Sequence, residues 1–463
     1  MAGPASGGAN PIKVINEGAM NWRQWAVVVL MVLLNALDGF DVLSSAFAAP
    51  GITADWGIPR SELGIVLSAE LVGMGFGSVL LGGAADRFGR KNTMIACLIL
   101  MAAGMWMAGH ANGVGDMFVY RFITGIGIGG MLAATNAVTA ESTNTKWRKA
   151  AIAVYVAGYP LGAILGGVAA SEWLLDTYGW RGVFDFGAIV TAALIPIVWI
   201  VVPETAAYYA SKDNREGVNK TLAAFGKEPI PALPAGATDA ASKPKVTDIL
   251  SNKQLRPVTL LLAFGYMFHT ITFYYILKFA VQIVADYPPG YPPSDAATVL
   301  TWANVGGFLG SALFGFVMAR FGIRWPTALM LLIGSVAVIS FGTGRDTLDG
   351  WQWATILTGF FTNAAISGYY AAFARGFPAY ARATGTGFVL GVGRLGAAGS
   401  PLIAGALFTL LGDDELLVVS AIMAMGSIAS LVLFLLLPER EGDDLVAAPS
   451  DPIPETLEGE TAR

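Results

Sequence analysis

Long apolar segments recur along the chain at about 25–49, 61–85, 92–110, 114–140, 148–172 and 181–202. A second series follows at about 257–285, 296–318, 325–342, 350–374, 383–410 and 415–437. Roughly 20 apolar residues suffice for a helix to cross a bilayer. The pattern therefore predicts an all-α membrane protein with twelve transmembrane helices in two six-helix halves, 25–202 and 257–437. Polar stretches flank the halves: an N-terminal segment at 1–24, a linker at 203–256 and a tail at 438–463.

The first span breaks its own pattern. It reads Asn35-Ala-Leu-Asp38-Gly-Phe-Asp41-Val-Leu-Ser-Ser45, with two carboxylates near the middle of an apolar segment. A central Asp costs on the order of 2.5–3.5 kcal/mol on insertion. Steps of three and four residues put Asn35, Asp38, Asp41 and Ser45 on one helical face. Such a face is predicted to look into protein or a water-filled space, either as a polar contact between helices or as a proton or ion site.

Composition supports the membrane assignment. The 463 residues are 55% hydrophobic and 13% charged, against about 25% charged in soluble domains. Loop charge then sets sidedness. One set of loops carries Arg87, Arg90 and Lys91, then Lys146, Arg148 and Lys149, the basic residues of the linker, Arg320 and Arg324, and Arg375 and Arg382. The alternate set carries Arg60, Arg181 and Arg345. The positive-inside rule predicts that the first set, and with it both termini, is cytoplasmic. No cleavable signal peptide is expected in residues 1–24. The tail, with Glu439, Glu441, Asp443 and Asp444 among its acids, reads as solvated and disordered. Pro229-Ile-Pro-Ala-Leu-Pro reads as a flexible linker, and the pieces around Glu204–Ala224 as amphipathic helices on the membrane surface. A single cysteine, Cys97, excludes an internal disulfide and a cysteine metal cluster. No metal-ligand cluster, phosphate-cradling loop or nucleophile–base pair is visible, so no metal, cofactor, nucleic-acid partner or enzymatic activity is expected.

The halves echo each other. Gly82-Gly-Ala-Ala-Asp86-Arg-Phe-Gly-Arg90 follows the second span, and Gly315-Phe-Val-Met-Ala319-Arg-Phe-Gly-Ile-Arg324 follows the eighth. Val202-Pro203-Glu204 ends the sixth, and Leu437-Pro438-Glu439 the twelfth. Such repeats suit a pseudo-twofold transporter with its site between the halves. With Gly-x-x-x-Asp-Arg-x-Gly-Arg between the second and third spans, the chain resembles the major facilitator superfamily over nearly its full length. The resemblance implies that Asp86 faces the eleventh helix and closes the cytoplasmic side, with Arg87, Arg90 and Glu141 completing an ionic latch. Ala319 stands where that family's second loop has an acid, so the matching latch should be weaker.

Arg121 opens Arg-Phe-Ile-Thr-Gly125-Ile-Gly127 in the fourth span, at a depth similar to Asp41. The two are natural partners, and the superfamily resemblance gives Arg121 a role in coupling. Asp38-Gly-Phe-Asp41, together with Gly393-Arg394-Leu-Gly396, is similar to the aromatic acid:proton symporters of benzoate and hydroxybenzoate type. Arg394 lies mid-membrane and can hold a carboxylate bidentately. The seventh span, Phe268-His269-Thr-Ile-Thr-Phe273-Tyr274-Tyr275-Ile-Leu-Lys278, offers rings for stacking. Lys278 is a second carboxylate partner or a snorkelling surface residue, and His269 a proton shuttle or an ordinary core residue. Phe40 joins Phe273 and Tyr274 as a candidate ring contact. Glu70, Asn136, Tyr155, Asp185, Asn304, Asn363 and Tyr370 are further buried polar groups that the sequence does not sort.

These expectations combine into proton-coupled uptake of aromatic carboxylates by a monomer in a bacterial inner membrane. Its partners are substrate, protons and lipid, and Asp38, Asp41 and Arg121 carry the coupling. Alternatives are a symporter of another small organic acid, an exporter (Gly158-Tyr-Pro160-Leu-Gly162 faintly resembles the drug:proton antiporters) and a membrane sensor.

Overall fold

The computed structural model describes residues 10–233, 245–378, 380–412 and 414–438. The tail from Glu439 onward and the 234–244 part of the linker lie outside them. The described chain is helical, in the order α1 (Pro11–Glu17), α2 (Trp22–Trp56), α3 (Arg60–Phe88), α4 (Arg90–Gly109), α5 (Val114–Glu141), α6 (Thr145–Ala169) and α7 (Leu175–Val201). Short helices α8 (Ala206–Ser211), α9 (Arg215–Ala224) and α10 (Val246–Ser251) follow. The long helices resume with α11 (Leu255–Asp286), α12 (Pro293–Phe321), α13 (Arg324–Phe341), α14 (Leu348–Gly376), α15 (Arg382–Leu411) and α16 (Leu416–Leu435).

Ten helical segments among the described residues are long and apolar enough to cross a membrane. One, Thr145–Val201, contains both α6 and α7. A π-turn at Ala170–Leu174 and the non-helical Gly179 (φ 65°) divide it. α14 has 29 residues, of which Asp349, Asn363, Arg375 and several glycines lower its apolarity.

Local chemistry sets the ends. Asn21 caps α2 in a reciprocal capping box with Gln24, and Gly57 ends it in the left-handed region (φ 61°). The repeated Arg-Phe-Gly turns share one backbone solution. Gly89 (φ 100°) ends α3 and Gly322 (φ 78°) ends α12, each in a region costly for a side chain. The internal repeat is thus a repeat of geometry.

Helices α2 to α7 pack on one another, α2 along α6 and α7, and α3 and α4 along α5. Helices α11 to α16 form a second set, α11 against α15 and α16, and α12 and α13 against α14. Small residues let backbones touch: a Cβ at Gly162 of α6 would stand 1.7 Å from the Ala36 carbonyl oxygen of α2. The sets meet through α3 and α15, α6 and α12, and α2 and α11.

The meeting is lopsided. At the end bearing Arg60, its guanidinium bonds Asp286 of α11 at 3.0 Å and lies 4.8 Å over the Phe408 ring. The Ser61 N–H donates to Thr409 at 3.1 Å, and a Cβ at Gly64 would stand 2.4 Å from the Pro401 carbonyl oxygen. At the basic end, a Cβ at Gly82 or Gly83 of α3, or at Gly387 or Gly391 of α15, would meet nothing within 4 Å. The sets are joined at the Arg60 end and parted at the basic end.

A charged hub at the basic end

Glu204 follows α7 and accepts from the backbone N–H groups of Arg90 (2.8 Å), Lys91 (3.1 Å) and Thr205 (2.9 Å). It satisfies the open first turn of α4, where a helix dipole favours an anion. The Pro-Glu ending read as half of a repeat is therefore a helix cap; its counterpart Glu439 lies outside the described residues.

Candidate functional site

The acid-bearing face of α2 turns into the first helix set. Asn35 donates to the Tyr155 carbonyl of α6 at 2.7 Å. Asp38 and Asp41 are fully buried, and none of their four carboxylate oxygens has a hydrogen-bond partner among the described residues. The Asp41 carboxylate lies beside Gly187 of α7, where a Cβ would stand 3.3 Å from Oδ1. The Ser45 hydroxyl is likewise buried and unpartnered.

Arg121 of α5 comes to this face but pairs differently from the expectation. Its guanidinium donates to the Asp41 main-chain carbonyl at 2.7 Å, not to the Asp41 carboxylate. The carboxylate it binds belongs to Glu70 of α3. Its plane lies 5.4 Å from the Phe184 ring centroid. Depth along the helices brought Arg121 and Asp41 to one level correctly. The azimuth of α3, which no single-helix pattern contains, decided the ion pair. Glu70 was visible as a buried acid, and its apolar setting was the signal available.

Lys278 of α11 does not snorkel. It is fully buried, donates to the Val42 main-chain carbonyl of α2, and stands 3.9 Å from the Glu70 carboxylate. An ammonium from the second helix set thus enters the charge cluster of the first. In this arrangement it is committed to protein partners.

Arg394 of α15 has the opposite character. It is half-buried and makes no hydrogen bond or ion pair among the described residues. Its charge reaches the hydroxyls of Tyr159 on α6 and of Tyr266 and Tyr274 on α11, which places it between the two sets. Tyr274 meets Phe273 edge to face at 5.3 Å, and Tyr266 lies 6.2 Å from Tyr370 of α14. A free guanidinium among phenols can bind a planar carboxylate and its ring together.

Two expected ring-side residues sit elsewhere. Both nitrogens of His269 are engaged, one with the Ser427 hydroxyl of α16 at 2.8 Å and one with the Thr362 carbonyl of α14 at 3.0 Å. The ring is fully buried in the second set, because α11 turns this position away from α2 and toward α14 and α16. Phe40 packs edge to face on Phe186 at 5.7 Å and presses on Gly166 and Gly187, inside the first set. Gly39 beside it packs on the Tyr159 carbonyl of α6, and Gly166 and Gly187 leave room for the ring between α6 and α7.

At the basic end Arg90 bridges Asp86 (2.5 Å) and Glu141 (3.2 Å), joining α3, α4 and α5. Arg87 is exposed, its guanidinium 5.3 Å from the Phe88 ring centroid. None of these reaches α15. Three of the four expected latch residues come together, but within one helix set, and the expected contact with the eleventh span is not made in this arrangement.

Residues 31–292 match the pattern of the Major Facilitator Superfamily. The chain is 30% identical to a gallate transporter of Pseudomonas putida, over 87% of this chain and 92% of that one. It is 26% identical to the 4-hydroxybenzoate transporter PcaK of the same organism, over 83% and 86% of the two chains. It is also 27% identical to the 3-(3-hydroxy-phenyl)propionate transporter of Escherichia coli, over 90% and 95%. Among solved structures, the inward-open xylose transporter XylE from E. coli superposes with a TM-score of 0.69 at 15% identity, over 92% and 99% of the two chains.

Proposed function

Because this chain belongs to the major facilitator superfamily, and is a transporter and not an enzyme, we propose that it imports aromatic carboxylates together with protons. The observation that carries the substrate is Arg394: a half-buried, unpartnered guanidinium, between the helix sets, among tyrosines. The relatives named for gallate, 4-hydroxybenzoate and hydroxyphenylpropionate support the same class.

In this reading the chain has twelve spans, counting α14 and dividing α6 from α7 near Gly179. The halves are 25–202 and 257–437, and the basic end and both termini are cytoplasmic in a bacterial inner membrane. The structure then stands open to the cytoplasm and closed outside. The substrate carboxylate docks on Arg394, and its ring lies against Tyr274 and Phe273. His269 and Phe40 serve packing. Asp38 and Asp41 form the proton-coupling pair, since a buried carboxylate with no donor is costly as an ion. Moving an anion inward against 100 mV costs about 2.3 kcal/mol, which an accompanying proton removes. The latch around Asp86 and Arg90 meets α15 when the cytoplasmic side closes.

Uptake of labelled 4-hydroxybenzoate into proteoliposomes, with the outside acidified, tests the reading. Wild-type protein accumulates label, while Asp38→Asn and Asp41→Asn insert normally and do not. Arg394→Gln loses binding of benzoate, 4-hydroxybenzoate and gallate in a thermal-shift assay. Normal accumulation by both Asp variants would refute the coupling role. Stabilisation by aliphatic dicarboxylates alone would refute the substrate class.

A further inference from the structure

Five ionisable side chains meet where α2, α3, α5 and α11 converge: Asp38, Asp41, Glu70, Arg121 and Lys278. All five are fully buried. Arg121 binds Glu70 and the Asp41 main chain, and Lys278 stands 3.9 Å from Glu70 with its ammonium on the Val42 carbonyl. The remaining titratable groups within reach, Cys97 of α4, Tyr155 and Tyr159 of α6 and Tyr274 of α11, are neutral phenols or a thiol. Arg394 makes no ion pair with these acids among the described residues; its charge falls on the tyrosines between the sets.

Three carboxylates face two cations in a region that water does not reach, leaving one excess negative charge. A net charge buried without a partner costs several kcal/mol, so the cluster is balanced by one proton. Its place follows from the contacts. Both cations lie on Glu70 and on the α2 backbone at Asp41 and Val42. The charged neighbours of Asp38 are Asp41 and Glu70, both acids, and its two oxygens are unpartnered.

Resting on the reading of a proton-coupled importer, we propose that the cluster holds a single proton on Asp38, and that Glu70 and Lys278 set the coupling at one proton per aromatic anion. Loading forms the Asp38 O–H bond with a proton from outside; unloading breaks it and returns the proton to the cytoplasm. Lys278 makes the count a joint property of both helix sets, because the second set supplies one of the two balancing cations. Transport of a monovalent acid is then electroneutral.

The test is labelled 4-hydroxybenzoate in proteoliposomes holding the full-length protein, with pH gradient and membrane potential imposed separately. For wild type, the steady accumulation ratio rises roughly tenfold per pH unit, and an inside-negative potential alone produces none. Accumulation driven by that potential, or a ratio indifferent to pH, overturns the proposal. Glu70→Gln leaves two acids facing two cations, so its uptake ignores the pH gradient and follows an inside-positive potential. Lys278→Met leaves three acids facing one cation, so its ratio rises roughly hundredfold per pH unit and responds to an inside-negative potential. Either variant that exchanges label yet keeps wild-type coupling overturns the role of its residue. Exchange of labelled for unlabelled 4-hydroxybenzoate, with no gradient, separates the two levels. Wild type that does not exchange defeats the transporter reading itself; wild type that exchanges with the wrong potential dependence defeats only the one-proton count.

Discussion

The two helix sets bury polar groups in opposite ways. Inside α2 to α7 the buried polar groups include Asp38, Asp41, Glu70 and Arg121, and several of their atoms have no partner. Inside α11 to α16, apart from Lys278, which reaches out to Val42 and Glu70 of the first set, the buried polar groups include neutral pairs: His269 with Ser427 and Thr362, Tyr275 with Ser420 at 2.8 Å, Tyr369 with Ser430 at 2.6 Å. The contrast extends to the arginines. Arg121 is held by Glu70, a main-chain carbonyl and a Met105 sulfur contact, with only its Nε unpartnered, whereas Arg394 makes no hydrogen bond or ion pair among the described residues. A satisfied neutral network fixes one packing and has little to gain from a proton. An unsatisfied charged cluster is stable only in a particular protonation state. On the proposed reading, the first set is the one that changes protonation state and the second the one that presents Arg394 to the ligand.

Breaking the charged side of this comparison should cost most. Arg121→Leu leaves Glu70 buried without its main partner, a loss of about 3–5 kcal/mol, seen as failure to purify as a monodisperse species or as a large fall in melting temperature. A near-normal melting temperature would mean that Lys278 alone satisfies Glu70. Arg394→Gln should act in the reverse sense, leaving the fold alone and weakening benzoate by about 1.5–3 kcal/mol, read by titration of purified protein. Loss of fold there would place Arg394 with Arg121 as a structural group.

His269→Ala sharpens the neutral side. It leaves the Ser427 hydroxyl and the Thr362 carbonyl without their buried partner, at a cost of about 1–3 kcal/mol. Affinity for benzoate should stay within a factor of two or so of wild type, given the ring's distance from the ligand-facing side. A selective loss of binding would return His269 to the site. The smallest effect on stability belongs to Asp86→Asn. Its partner bond to Arg90 is solvent-exposed on the Asp86 side, so stability should move by less than about 1 kcal/mol. Uptake should slow nonetheless, if Asp86 meets α15 in the other state; an unchanged rate would leave the motif a marker of topology.

How much of this was legible beforehand differs by residue. Hydrophobic length gave the helices, and the repeated Arg-Phe-Gly gave matching turns, because both are local consequences of backbone sterics and transfer energy. The segment read at 350–374 is α14, although its polar residues lower its apolarity. Arg394 was readable as a cation near the middle of its segment, whereas its place beside the tyrosines of α6 and α11 is a tertiary outcome.

The sequence alone determined a chain of apolar helices, a basic and a sparsely charged end, and acids on one face of the first span, since each depends on residues close together in the chain. Which acid holds Arg121, whether Lys278 turns inward, and which way His269 and Phe40 point were decided only by the tertiary structure. Those outcomes depend on the rotation of each helix about its own axis and on the approach of α3 and α11 to α2. That rotation is set by the combined packing of every neighbour, which no periodicity within one segment records.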